Sequence, residues 1–286
     1  MKRILLGLLL SAALVGCAAQ ADRGQEAPAS TASAAGEGLF FRVETVQHSD
    51  SEKAEDGTVL AECDYELPEM TVCRADGSAP EAADSDMARS ALDRAAAFNE
   101  SFATWKDEAE FAQVAEMARQ DREMCREMQL DWTGPYMLGL SCSVYQTEQL
   151  VSVAGTYFGF TGGSHPNTYL MGWNFDLDTG EFFNVRALSD GTALEEYVTE
   201  ELNRQVRTRA AEAELAPSEL YWEDYELILA DWSSYAVSFD ESGMTVAFSP
   251  FELAAYAAGA QTFTIPYESL APHLNPRGLQ VLGLEE

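Results

Sequence analysis

Residues 161–183 read TGGSHPNTYLMGWNFDLDTGEFF and hold several side chains that can do chemistry. Ser164 beside His165 suggests a nucleophile and its base. Neighbours on an extended chain point to opposite faces, so this pair does not form a dyad by itself. Gly162 and Gly163 suit a loop whose backbone lies close to something, either a ligand or the next strand. A phosphate-cradling loop needs GxxxxGK[ST], which is absent. Asp176, Asp178 and Gly180 suggest a calcium loop. That loop needs oxygen ligands at positions 1, 3 and 5, Gly at 6 and Glu at 12. Here position 5 is Gly180 and position 12 is Ala187, so DLDTGE reads as a hairpin turn.

The rest of the chain offers little catalytic material. GxSxG and HExxH are missing. The three histidines, His48, His165 and His273, are too few and too scattered for a multi-His metal site. Acid pairs such as Glu223-Asp224 and Asp240-Glu241 say little in so acidic a chain. No catalytic residue, metal or cofactor is expected, and the balance leans away from an enzyme. Tyr221, Trp222, Tyr225, Trp232 and Tyr235 form an aromatic run that can stack a sugar or a partner, or fill a core. The candidate binding residues are Gly162, Gly163, Ser164, His165, Asn167, Trp222, Tyr225 and Trp232.

The N-terminus sets the compartment. Met1-Lys2-Arg3 is basic, 4–15 is apolar, and Gly16-Cys17 follows. This is a secretion signal over 1–16. Cys17 after a small residue resembles the bacterial lipobox, in which the cysteine is lipidated. Residues 17–38 are small and polar and read as a flexible tether. The expected location is extracytoplasmic, with the membrane reached only through the lipid. The chain carries 17 basic and 48 acidic side chains, for a net charge of −31. Such charge repels nucleic acid and anionic lipid and steers in cationic partners. Outside the cytoplasm, Cys63, Cys73, Cys125 and Cys142 favour two disulfides. Of the three pairings, Cys63–Cys73 and Cys125–Cys142 are expected, each bracketing a turn near Pro68 or Gly134-Pro135.

These residues must be held by a mixed fold. Strands are expected at 39–47, 138–147, 149–158, 168–177 and 261–265. Hairpins are expected over 57–74, turning at Pro68-Glu69, and over 234–249, turning at 240–243. Apolar spacing at Ala91, Ala95, Phe98, Phe102 and Trp105 predicts a helix capped by Ser85 or Asp86. Another helix covers 108–128, with Phe111, Val114 and Met117 inside. Further helices cover 191–212, the region 217–230, and 267–274. The class is α+β, an antiparallel sheet built from hairpins with helices packed on it.

GGSHPNTYLMGWNFDLDTGEFF, together with SPFELAAYAAGAQTFTIPYESL at 249–270, resembles a domain of RsiV-type anti-sigma factors and PdaC-type peptidoglycan deacetylases. The matching residues include Gly162, Gly163, His165, Pro166, Asp176, Thr179, Gly180, Pro250, Glu252, Tyr256, Gly259, Ile265, Pro266 and Tyr267. Phe251 stands for the usual Tyr and Ala255 for the usual Pro. The resemblance implies an N-terminal module over 39–134 and an RsiV-like domain over 135–286. It also implies a lysozyme-binding role. The sigma-binding segment, spanning helix and deacetylase domain of those proteins are not expected here.

Three expectations follow. One is a surface lipoprotein whose non-catalytic domain binds a cationic protein such as lysozyme, or peptidoglycan glycan. The second is a cell-wall hydrolase or deacetylase, with His165 in its site. The third is a structural envelope lipoprotein.

Overall fold

The structure is a computed structural model describing residues 32–285 apart from 37, 107 and 234, with only the backbone of 108 and 109. The signal segment, Cys17 and the tether up to residue 31 lie outside the described residues. Among the described residues, ten strands occur in chain order: β1 (Ser33–Gly36), β2 (Leu39–Lys53), β3 (Val59–Arg74), β4 (Tyr136–Gln146), β5 (Leu150–Phe160), β6 (Asn167–Asp176), β7 (Glu181–Phe182), β8 (Ala236–Asp240), β9 (Gly243–Phe248) and β10 (Gln261–Pro266). Seven α-helices accompany them: α1 (Asp86–Ala103), α2 (Glu108–Met128), α3 (Ala193–Glu212), α4 (Pro217–Leu220), α5 (Tyr225–Ala230), α6 (Tyr267–Leu270) and α7 (Pro276–Val281). β1 to β7 form one sheet in sequence order, and β10-β9-β8 form a second. No helix among the described residues is long and apolar enough to cross a membrane.

The fold is α+β and mostly antiparallel, with one parallel pair, β3 against β4. A parallel pair needs a crossover, and α1 with α2 supplies it. That pairing also carries one sheet across the expected boundary at 134/135. Ser85 Oγ caps α1 by accepting from Ala88 N–H at 3.0 Å. Ala91, Ala95, Phe98 and Phe102 then lie buried on one helix face. On α2 the small residues Ala115 and Ala118 join Val114 inside. The helix turns so that these meet the sheet, and Met117, expected inside, is 43% exposed.

Two expectations at the N-terminal side are corrected. The tether does not extend to residue 38, because Ser33–Gly36 pair with β2. Ser33 Oγ is held there by Gln146 Nε2 at 2.7 Å, and Ala35 is buried. Nor is there a turn at Pro68: β3 runs through it, opposite Thr45. Asn99 of α1 explains how. Its amide accepts from Met70 N–H at 2.8 Å and donates to Met70 C=O at 2.9 Å. Met70 therefore points its backbone groups away from β2. By the two-residue alternation, Pro68 does too. The missing proline donor thus falls beyond the β3–β4 ladder, which ends at Tyr65 and Leu140.

Two apolar cores result. One lies between the large sheet and α1 with α2, centred on Phe98, Phe102 and Phe175. The other packs α3 and α5 against the small sheet, around Val198, Leu202, Phe248 and Phe263. Ser152 and Asn174 of the large sheet join them to the edge of β8. Ser152 Oγ accepts from Phe239 N–H at 2.8 Å, and Asn174 Nδ2 donates to Val237 C=O at 2.9 Å.

Candidate functional site

The β5–β6 connection carries the Gly-Gly-Ser-His-Pro segment. Gly162 and Gly163 take φ of +91° and +94°, a region that favours glycine. A β-carbon on Gly162 would sit 3.4 Å from Tyr136 Oη, which donates to Asp121 of α2. That is an ordinary van der Waals contact, so the positive φ favours glycine at both positions, and the space beside Gly163 is open. Ser164 and Asn167 are exposed. His165 stacks on Tyr256, with centroids 4.0 Å apart and planes at 23°. Its Nδ1 lies 3.2 Å from the carbonyl of Pro166, and Tyr256 Oη donates to that same carbonyl at 3.2 Å. The imidazole is thus clamped to a phenol and a backbone carbonyl. No Ser hydroxyl among the described residues bonds it.

The segment after β9 completes the surface. Phe251 has φ +75°, a strained value for a side chain of its size. It is held by Trp222, whose Nε1 donates to Phe251 C=O at 3.0 Å. Trp222 N–H also donates to Leu253 C=O at 3.1 Å. This strain turns the Phe251 ring outward, 55% exposed, at 5.3 Å from Tyr256 and 6.0 Å from His165. Trp222 is 37% exposed and Leu227 of α5 is 74% exposed. A notch of about 390 Å³ beside them is lined by Leu227, Ile228, Asp231 and Glu252. His165, Phe251, Tyr256 and Trp222 thus make one aromatic platform with carboxylates at its rim.

The structure brings only part of the expected set together. Tyr225 and Trp232 belong to the second core. Trp232 Nε1 reaches Thr199 Oγ1 at 3.5 Å, and the Arg186 guanidinium lies 5.9 Å from the Trp232 ring. Tyr225 Oη reaches Glu226 at 3.3 Å. Both are buried and offer a partner little surface. Phe251, absent from the sequence-derived set, is its most prominent ring. The signal that could have found it was an aromatic residue between Pro250 and Glu252.

Residues 187–268 match the sequence profile of the DUF3298 family. Its description is a protein of unknown function. The match includes Trp222, Phe251 and Tyr256 but not the loop bearing His165. A crystal structure of a DUF3298 member from Bacteroides fragilis shares the fold at TM-score 0.59 and 14% identity. That likeness covers 86% of this chain and 97% of that one. A DUF3298 protein from Pseudomonas aeruginosa is also similar, at TM-score 0.46 and 14% identity over 82% of this chain and 95% of that one. No curated protein matches the sequence.

Just ahead of the DUF3298 stretch, the DLDTG turn is closed by a cation from the chain itself. Asp176 Oδ1 accepts from Asp178 N–H at 2.9 Å and Thr179 N–H at 3.3 Å. Arg277 of α7 donates to the other Asp176 oxygen, and to Asp178 at 3.1 Å. Among the described residues no group of three or more His, Cys, Asp or Glu is placed to hold a metal.

The expected disulfides are corrected. All four thiols are free. Cys63 and Cys73 lie on the single strand β3, about 33 Å apart at the rise of an extended chain, whereas a bridge spans about 4.4–6.8 Å. Cys125 lies near Tyr136 at the start of β4. Cys142 is farther along that strand, by about 20 Å at the same rise. Burial pushes the Cys142 thiol up to about 12 and raises Cys63 as well.

Proposed function

We propose that this chain is an extracytoplasmic lipoprotein, anchored through Cys17, whose folded part binds a cationic partner without acting on it chemically. The partner class is a basic envelope or host protein such as lysozyme. The observation that carries this reading is the aromatic platform of Trp222, Phe251, Tyr256 and His165 on a chain of net charge −31. Exposed, fixed aromatic rings supply short-range affinity, and the acidic surface speeds encounter and selects the sign of the partner. The RsiV/PdaC-type resemblance supports an envelope-binding role of this kind.

Clamping of His165 between Tyr256 and the Pro166 carbonyl argues for a recognition role over a base. The test is affinity for lysozyme in Phe251→Asp and Leu227→Asp variants. Both positions are exposed, so the fold survives. A loss of about tenfold or more is expected for Phe251→Asp. Unchanged affinity in both variants would place recognition elsewhere. Binding of soluble muropeptide at the same surface, with none of lysozyme, would make the ligand cell-wall glycan.

A further inference from the structure

α2 keeps an apolar strip outside the core. Met117, Met124 and Met128 are spaced by seven and four residues, which puts them on one side of the helix. That side is not the buried one, which carries Val114, Ala115 and Ala118. The end of the helix adds a fourth apolar residue. Gln129 takes φ +57°, and Leu130 N–H then donates back to Cys125 C=O at 2.8 Å. In this arrangement the returning residue, Leu130, faces the last helical turn. The four side chains are 43% to 62% exposed. Single apolar residues scattered over a surface mean little, but several aligned along one helix side are the pattern of a contact site.

Charge is sorted around the strip. Arg119, Arg122 and Arg126 each stand two residues from one of these methionines, about 200° around the helix. Each is taken by a carboxylate: Glu52 at 2.7 Å, Asp56 at 2.6 Å and Glu123 at 3.2 Å. Glu110, by contrast, is seven residues before Met117 and shares its side, and Glu127 is three after Met124. The methionine side is therefore bordered by acids, with no basic residue of α2 on it. Burial, then the Glu110 carboxylate, raises the Tyr157 phenol, so this side of α2 faces β5. There Tyr157 stacks on the exposed ring of Tyr169 at 6.1 Å. Tyr136, beside Gly162, donates to Asp121, which stands four residues after Met117 and three before Met124. The strip thus borders the loop that carries His165.

An occupant must match thioethers and acids together. Unbranched methionine adapts to varied apolar shapes and recurs on surfaces that take amphipathic helices. A second copy would bring two chains of net charge −31 together, and anionic lipid is repelled for the same reason. We propose that this strip of α2 takes a basic amphipathic helix of the partner. Its apolar side lies on Met117, Met124, Met128 and Leu130, and its Lys or Arg side chains lie against Glu110 and Glu127. The charge of that helix rests on the cationic-partner reading; the apolar contact does not.

The probe is the Leu/Lys peptide acetyl-LKKLLKLLKKLLKL-amide, apolar on one side as a helix, titrated into the full secreted chain. The readout is oxidation by dilute hydrogen peroxide, which converts exposed methionine to its sulfoxide and is mapped by mass spectrometry. The bound peptide should slow oxidation at Met117, Met124 and Met128 and leave Met87, exposed on α1, as it was. A Met124→Lys, Met128→Lys double variant should lose about tenfold or more in affinity. Its melting temperature checks that the fold is intact. A scramble of the same composition with no apolar side should protect nothing. No protection by the parent, equal protection by the scramble, equal slowing at Met87, or full affinity in the folded double variant would overturn the proposal. Neutral phosphatidylcholine vesicles that protect the strip when the peptide does not would make it a membrane contact and overturn it as well. The two readings fail separately. Lysozyme binding together with no protection by the peptide sinks the strip and keeps the cationic partner. An acidic peptide, with Glu for Lys, that protects as well as the basic one overturns the basic helix, whatever lysozyme does.

Discussion

Ser152 Oγ donates to Asn174 Oδ1 at 2.8 Å, and both side chains are buried where the two sheets meet. Each also satisfies one backbone group on the outer edge of β8, so no polar group of this bridge is left open. The bridge fixes the small sheet, and with it the segment bearing Phe251 and Tyr256, against the hairpin bearing His165.

Ser152→Ala therefore removes a donor from Asn174 and an acceptor from Phe239. A destabilisation of about 1–3 kcal/mol is expected, the cost of leaving buried groups without partners. Urea denaturation measures it, and a change below about 0.5 kcal/mol would mean that water replaces the hydroxyl.

Arg277 plays the cation in the DLDTG turn. Arg277→Ala leaves Asp176 and Asp178 together, and a loss of about 1–3 kcal/mol is expected, reduced from the fully buried case because Arg277 is partly exposed. Calcium at millimolar concentration should not move the melting temperature of the native chain. A calcium-dependent rise would show that the turn binds metal in preference to its own arginine.

The alkaline limit of stability follows from raised acids. Burial first, then the hydrogen bond to Asp121, pushes Tyr136 up to about 12 from 10.0; burial pushes Cys142 up to about 12 from 9.0. The folded state holds these protons more tightly than the unfolded state. Their contribution is present below the unfolded values and is lost as pH rises through about 9 to 12. Urea midpoints should fall over that window, and Tyr136→Phe should flatten the part above pH 10. A flat profile in the native chain would contradict the burial of both groups.

Thiol chemistry checks the corrected cysteines. In the native state Cys73 and Cys125 should alkylate before Cys63 and Cys142, which are buried and raised in pKa. Unfolding without reductant should release all four to iodoacetamide. Mass spectrometry showing two fewer modifications would reinstate a disulfide.

The readable parts of the fold were those set by local pattern. Apolar spacing placed α1 and its buried face, and the Asp240 and Gly243 turn placed the β8–β9 hairpin. Pairings that join distant segments were not legible. Pro68 looked like a turn because its tolerance depends on Asn99, contributed by a helix from later in the chain. Cys63 and Cys73 looked like a bracket for the same reason. Of the site, the Gly-Gly-Ser-His-Pro loop and Trp222 were visible from residue type. Phe251 was not, because its exposure comes from a positive φ held by Trp222. Tyr225 and Trp232 share the aromatic character of Trp222, and only packing separates a core ring from a surface one.

The central claim is that a cationic protein is bound specifically and not merely attracted. Calorimetric titration of the folded domain with lysozyme at low and at near-physiological salt tests it most directly. The account predicts stoichiometric binding that weakens with salt but persists, because the aromatic platform is not screened. Heat that vanishes at the higher salt, or no heat at either, would contradict it.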